Sequence, residues 1–562
     1  MDVDYGDGKV TNLIVMAFSF VVIAVVIVGF ASSIKTPPGD SAISTRELPP
    51  SPPKSMQKSL VPSHTLNLTS LDSICLQTDY VSTCRSSMAS AFNQKNGTVQ
   101  DFAKTTMQVT IRQMVGVKEL ANRLVKNGRI RKDYQALNDC IELVSLGLYD
   151  LQAALSLVSN SSNLSSKQSW DVKNWLSAVL AYQEACLEGL KNFKSREAIY
   201  NAIQNPKQTT SNALAIVDSN FNTQSPSKNI SRRLLSQDQE HYPSWFSAAK
   251  HKLLGDYDNG ELRPDALVAA DGTGEFRNIA EALKAYKLNS KGWYVIYVKA
   301  GVYKENIFIS KDQINVYIYG DGIDKTIVYG SKHSTDEFPA YRTAVVAVLG
   351  NGFVCKLMTI QNRATTGREA VALRIQGDKA AIFNCKIEGA ERTLYAVAHR
   401  QFYRECIIVG FQDIIFGDSS IIIQKSLIMV RQPHTPENFT AITAQGRTER
   451  RETTGFVLQD CTIIKEEKIK NNFKVPTFLG RPLGKYSRII ILQSYIGNII
   501  SPEGWTMGFS RTNEKNVQYA EYENNGPGAN TAKRVKWEGF KVLKSKLEAL
   551  QYTPYDFIQG DL

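Results

Sequence analysis

The chain has 562 residues, 43% of them apolar, and a formal net charge of +12. That length suggests more than one domain, and the apolar share is enough to bury real cores, which excludes a largely disordered chain. The basic balance favours a polyanionic partner such as an anionic membrane or an acidic polysaccharide; no zinc-type Cys/His spacing, RNP-type motif or Lys/Arg block is present, which argues against nucleic acid.

Residues 1–35 carry a membrane signal. From Leu13 to Ala31 only Ser19 and the small Gly29 interrupt an apolar run long enough to span a bilayer. Asp2, Asp4 and Asp7 precede it against a single Lys9. A cleaved signal peptide usually starts positive, so the run reads as a retained signal anchor ahead of a cleaved signal peptide. Either reading makes the membrane a partner before any cleavage and sends the rest of the chain into the secretory pathway, towards the extracellular space. Six glycosylation sequons, at Asn67, Asn96, Asn160, Asn163, Asn229 and Asn438, agree with that route. Residues 36–62 are rich in Pro, Ser and Lys and read as a flexible linker.

Residues 63–220 carry apolar residues at three- and four-residue steps, as in the run from Asp139 to Leu151 and from Val172 to Leu190. This is the pattern of amphipathic helices packed as a bundle. Cys75, Cys84, Cys140 and Cys186 lie here, and in an oxidising compartment they suggest two disulfides with three possible connectivities. Residues 221–241 are polar and include Arg232, Arg233, Leu234 and Leu235, a basic solvated linker on composition alone.

From residue 242 to 562 the character changes to short β-rich runs. Segments starting at Cys355, Cys385, Cys406, Ser426, Cys461 and Ser494 each open on Cys or Ser and continue with apolar residues, at spacings of 30, 21, 20, 35 and 33 residues. Such periods imply a solenoid, and one strand-rich coil per repeat predicts a parallel β-helix. Equivalent residues then stack at roughly 4.8 Å, within disulfide reach. Cys385 is therefore expected to pair with Cys406 or with Cys355, and Cys461, about two coils from Cys406, to remain free.

Two resemblances run through these regions. Cys75-x8-Cys84, the Ala136-Leu-Asn-Asp-Cys140 segment and the Trp175…Cys186-Leu segment resemble the pectin methylesterase inhibitor family. That likeness implies a four-helix bundle behind a helical hairpin, with pairs Cys75–Cys84 and Cys140–Cys186. The second half resembles the plant pectin methylesterases (pectinesterases) in its Val268-Ala-Ala-Asp-Gly-Thr-Gly-Glu-Phe opening, the Tyr297…Glu305 segment, Gly320-Asp-Gly, Ala444-Gln-Gly-Arg-Thr, Leu479-Gly-Arg-Pro and Gly526-Pro-Gly-Ala. It implies an all-β right-handed parallel β-helix that acts on pectin (homogalacturonan) in the plant cell wall without cofactor or metal. The same likeness makes Arg232–Leu235 a processing site for a subtilisin-like protease, and makes other pectinesterases a partner of the helical bundle.

Ester hydrolysis in that family needs a nucleophilic carboxylate, an acid/base carboxyl, amide donors for the oxyanion and an arginine clamp. By resemblance Asp413 is the nucleophile, Arg481 its clamp, and Tyr395, Phe416 and Trp505 aromatic groove residues. Other positions depart from the pattern: Arg392 replaces the acid/base aspartate, Glu369 and Glu391 replace the oxyanion glutamines, and Leu483 replaces a groove tryptophan. Arginine keeps its proton at a pKa above about 12, and an ionised glutamate has no N–H to offer. The expectation is a pectinesterase-family protein with an impaired site. The alternative is a non-catalytic pectin-binding protein or a regulator of active esterases.

Overall fold

A computed structural model describes residues 69–89, 96–127, 131–161, 164–221, 243, 245–246, 255, 263–288, 292–335, 337–365, 367–432, 438–467, 475–508 and 514–559. The expectations for residues 1–62, for Arg232–Leu235 and for Asn67, Asn163 and Asn229 lie outside these residues. Asn96, Asn160 and Asn438 are exposed.

Two short helices, α1 (Leu71–Cys75) and α2 (Val81–Ala89), precede four long ones, α3 (Val99–Lys126), α4 (Tyr134–Asn160), α5 (Ser166–Gly189) and α6 (Arg196–Asn220). Capping boxes start two of the long helices: Thr98 with Asp101 for α3, and Ser165 with Gln168 for α5. Phe102, Thr106, Val109, Met114, Val117 and Ala121 give α3 its buried stripe. Cys75–Cys84 joins α1 to α2, and Cys140–Cys186 joins α4 to α5. Both pairings are those the inhibitor resemblance implies.

The second part is a parallel β-helix. Its strands form three all-parallel sheets of 11, 8 and 7 strands among the described residues. One coil gives a strand to each sheet in turn, for example Arg400–Arg404, Ile407–Gly410 and Ile415–Gly417. The corner between the first two strands of a coil is a non-glycine residue in the left-handed region: Leu357, Asn384, Glu405, Lys425, Asp460, Gln493 or Glu523, with φ between 46° and 56°. After every corner but Glu523 the next residue is buried: Met358, Cys385, Cys406, Ser426, Cys461 or Ser494. Ser426 Oγ donates to Gln424 O at 2.7 Å and accepts from Cys406 N at 3.0 Å; Ser494 Oγ repeats both bonds with Leu492 O and Cys461 N. The Cys-or-Ser repeat is this corner, where a small side chain answers a backbone group that the turn leaves unpaired.

The register corrects the cysteine expectation. Cys355 is a strand residue opposite Ile318 and Ile382, and the corner position of its coil belongs to Met358. Cys355, Cys385, Cys406 and Cys461 are all buried thiols. Cys385 Sγ reaches Cys355 Sγ only to 3.7 Å, while the Cys406 thiol is turned to the carbonyls of Ile382 and Arg404 and the Cys461 thiol to those of Ile423 and Gln459. The ladder disulfide, Cys385 with Cys406 or with Cys355, is therefore not formed. Burial pushes the Cys385 and Cys406 thiols well up and the Cys461 thiol to about 12, so none of these three offers a thiolate. Thiol titration of the native protein should find no fast-reacting cysteine, and titration in denaturant should find four; two would indicate a bridged ladder.

Residues 66–562 form one compact unit. Alternation along the seven-stranded sheet explains how the bundle joins the β-helix. Leu373, Leu394 and Ile415 face the solenoid core. Their outward neighbours Tyr395 and Phe416, with Ala347 and Ala444, belong to the same apolar cluster as Met114, Leu143, Val179 and Tyr182 of the bundle. Around this seam Tyr341 Oη donates to Glu142 (2.6 Å), His399 bridges Asp150 (2.9 Å) and Asn174 (3.1 Å), Arg400 pairs with Asp171 (2.8 Å) and Tyr80 donates to Glu449 (2.8 Å). Arg342 pairs with Asp139. The bundle thus lies on the outward face of the seven-stranded sheet.

Candidate functional site

That outward face is one continuous ladder: Ala347, Arg374, Tyr395, Phe416, Ala444 and Arg481 pair in register on six successive strands. The Tyr395 and Phe416 rings stack with centroids 4.1 Å apart. The small Ala444 keeps the strand between Phe416 and Arg481 free of bulk. A second ladder runs beside it, with Glu369, Glu391 and Gln412 bridged one above another. The residues after the last two, Arg392 and Asp413, are both in the left-handed region, with φ 59° and 46°. Such a backbone costs of order 1–3 kcal/mol for a non-glycine residue, so the surrounding contacts must hold it.

Asp413 is 1% exposed. Arg481 grips it with both arms, Nε to Oδ1 at 2.8 Å and Nη2 to Oδ2, and Gln412 Nε2 donates to Oδ1 at 3.0 Å. The nucleophile and clamp expected from the sequence therefore meet in the bidentate geometry such a pair requires. Arg392 stands beside them, Nε 3.9 Å from Asp413 Oδ2. Its Nη1 lies 2.9 Å from Glu369 Oε1, and its Cζ 4.9 Å from the Phe416 ring centroid. Burial works against the Arg392 charge, but Glu369, Glu188 and Asp413 outweigh it and raise the pKa further. Arg392, expected from the sequence to stand at the acid/base position, thus holds its proton more tightly than an ordinary arginine.

Glu188 belongs to α5 of the bundle, and sequence reading missed it. Its Oε1 accepts from both Nη1 and Nη2 of Arg392, each at 3.3 Å. Lys191, one turn on, reaches Glu188 Oε1 at 3.0 Å and Glu369 Oε1 at 3.2 Å. Arg392 and Lys191 hold Glu188 at about 2 despite the opposing effect of burial. The site is thus a mesh of Glu188, Lys191, Glu369, Arg392, Asp413 and Arg481 contributed by both parts of the chain. Arg374 was also missed; it is buried with its Cζ 3.4 Å from the Tyr341 ring centroid.

Glu369 and Glu391, which the sequence reading set in place of oxyanion amides, stand in the ladder as carboxylates, and Gln412 already spends Nε2 on Asp413 and Oε1 on Ala441 N (3.3 Å). Leu483 is 37% exposed at the end of the clamp strand. Trp505 corrects an expectation: it is 1% exposed, packs on Tyr519 and donates Nε1 to Glu521 at 3.1 Å, so it is a core residue of the solenoid and not part of the groove. Gly508, three residues on, is the position that abuts Arg481 Cδ and Phe439.

Comparison with known proteins follows the same division. Residues 265–561 match the family model for pectinesterase, and residues 69–216 that for plant invertase/pectin methylesterase inhibitor. The chain is 36% identical to probable pectinesterase/pectinesterase inhibitor 21 of Arabidopsis thaliana, over 87% of this chain and 73% of that protein. It is 37% identical to pectinesterase 3 of Phaseolus vulgaris, over 87% of this chain and 84% of the relative. The solved pectin methylesterase from carrot aligns with a TM-score of 0.52 at 39% identity, covering 53% of this chain and 94% of that one.

Proposed function

Because the chain belongs to the pectinesterase family, we propose that it is a secreted cell-wall protein with a pectin-directed groove and severely impaired ester hydrolysis, kept closed by its own inhibitor-like bundle. The observation that carries this reading is Arg392, locked between Glu369 at 2.9 Å and Glu188 at 3.3 Å. A guanidinium so held neither protonates departing methoxide nor deprotonates water. Losing general acid–base help costs about 10²–10⁴ in rate, and losing one oxyanion donor about 10²–10³.

Binding is a separate matter. Tyr395 and Phe416 keep a stacked apolar platform suited to sugar rings. The domains we assign are a signal anchor or signal peptide (1–35), a linker (36–62), the bundle (63–220), a second linker with the Arg232–Leu235 processing site (221–241) and the β-helix (242–562). Cleavage by a subtilisin-like protease near Leu235 would free the groove. Six sequons and two disulfides support a secretory route.

A retention assay on immobilised, highly methyl-esterified homogalacturonan tests the reading. Protein nicked in the 221–241 linker, with the bundle removed, should bind; intact protein should bind at least tenfold more weakly, and Tyr395→Ala in the nicked form should lose retention. Equal binding by intact and nicked protein would refute closure by the bundle. No binding by the nicked form would refute the groove assignment.

A further inference from the structure

A cavity of about 890 Å³ opens where the first turn of α5 meets the 11-stranded sheet and the C-terminal segment. It shares no lining residue with the Asp413 site. Lys167 and Trp170 of the bundle line one side; Lys379, Arg488, Lys541 and Tyr552 of the β-helix part line the rest. Its volume is in the range of small-ligand sites, about 300–1,000 Å³.

The charge inside is unbalanced. Lining acids are committed or disfavoured: Glu538 pairs with Lys515 at 2.9 Å, and burial pushes the Asp556 carboxyl up. Arg400 is spent on Asp171 and Asp378. Among the described residues no carboxylate lies within ion-pair distance of Lys379, Arg488 or Lys541. Arg488 is half-buried and donates Nε to Gln518 Oε1 at 2.7 Å, the same oxygen that accepts from Arg447 Nη1 at 3.0 Å. Burial first, and then the nearby Arg447, push the Arg488 pKa down. A cation kept there without a counter-charge is costly unless an anion completes it.

We propose that this cavity binds a short acidic oligosaccharide, an oligouronide with free carboxylates, and that the bound sugar staples the bundle onto the β-helix. The uncommitted cations meet the carboxylates, Trp170 and Tyr552 meet the apolar faces of the sugar rings, and Gln518 is at hand for hydroxyls. Its walls come from both parts of the chain, so only the closed form presents the complete site. A ligand that binds one state alone shifts the equilibrium towards it. De-esterified pectin fragments would then favour the state whose groove is covered, a feedback by product. The identity of the sugar rests on the groove reading above; the anion chemistry of the cavity does not.

Calorimetric titration of the full-length protein with trigalacturonate, its trimethyl ester and inorganic phosphate tests this. Saturable binding of the acid is expected, at least tenfold tighter than the ester or phosphate and weakened by salt. Lys541→Gln, at an exposed side chain, should weaken it several-fold, and Arg488→Gln with Lys541→Gln at least tenfold. Lys304→Gln, which removes an exposed cation outside the cavity lining, should leave it unchanged. No saturable binding, equal binding of ester or phosphate, or indifference to both cavity substitutions would overturn the proposal. Failure of the groove reading shows elsewhere, as lost retention of the nicked protein on esterified homogalacturonan.

Discussion

The triple variant Arg392→Asp, Glu391→Gln and Glu369→Gln, nicked in the 221–241 linker, should release methanol from esterified pectin at least about 10³-fold faster than the nicked natural chain. The first change restores a group that exchanges a proton near neutral pH, and the other two restore amide donors in the ladder beside Asp413. Separately such groups are worth about 10²–10⁴ and 10²–10³, and residues acting as a unit do not multiply fully, so 10³ is a floor. The backbone is ready for the exchange. Residue 392 sits at φ 59°, a conformation that aspartate tolerates better than most side chains. Asp413 and Arg481 already hold their bidentate contact. Adding Asp413→Ala to the triple variant should abolish the gain. A triple variant no faster than the natural chain would mean that the groove is disabled by something other than these residues.

Docking of the bundle should weaken about 10³-fold between pH 4 and pH 8. Asp139 on α4 is 2% exposed and paired with Arg342 of the β-helix. Burial raises its pKa from 3.8 to about 7, against the opposing pull of Arg342 and Arg374. Its contribution to the closed state is therefore complete below about pH 4 and is lost as pH rises through 7. At about 1.4 kcal/mol per pH unit the difference amounts to about 4 kcal/mol, or roughly 10³ in the docking constant. Burial raises Glu449, at the Tyr80 contact, in the same direction. Glu188 acts oppositely: held at about 2, it supports docking above the ordinary glutamate range and fails only as pH falls towards 2. That window lies below the Asp139 window, and at 48% side-chain exposure water screens much of the effect. Sedimentation of the nicked protein should show an intact complex at pH 4–5 and dissociation at pH 8. Asp139→Asn should remove most of the difference; an unchanged pH profile in that variant would contradict the assignment.

The solenoid was legible because its chemistry repeats. The small polar or thiol residue after each left-handed corner recurs at Cys385, Cys406, Ser426, Cys461 and Ser494, and local pattern suffices to see it. The first coil was misread by three residues because Cys355 imitates the corner residue that Met358 in fact supplies. The site ladder was legible through motifs, so Asp413, Arg481, Tyr395 and Phe416 were found together. Trp505 was misplaced because neighbouring glycines and aromatics do not reveal whether a ring faces inward. Glu188, Lys191 and Arg374 were invisible for a different reason. Their role arises from packing between parts of the chain about 200 residues apart, and Glu188 reads in sequence as an ordinary charge near the end of an amphipathic helix.

Arg392 unites these results. Where the family pattern has a proton-transfer group, this chain has a cation that the bundle's Glu188 and the groove's Glu369 neutralise together. Methanol release by the nicked natural chain, read beside its Asp413→Ala counterpart, tests this most directly. The expected result is release no more than a few-fold above the Asp413→Ala background. Turnover in the ordinary enzyme range of roughly 1–10³ s⁻¹, abolished by Asp413→Ala, would contradict it.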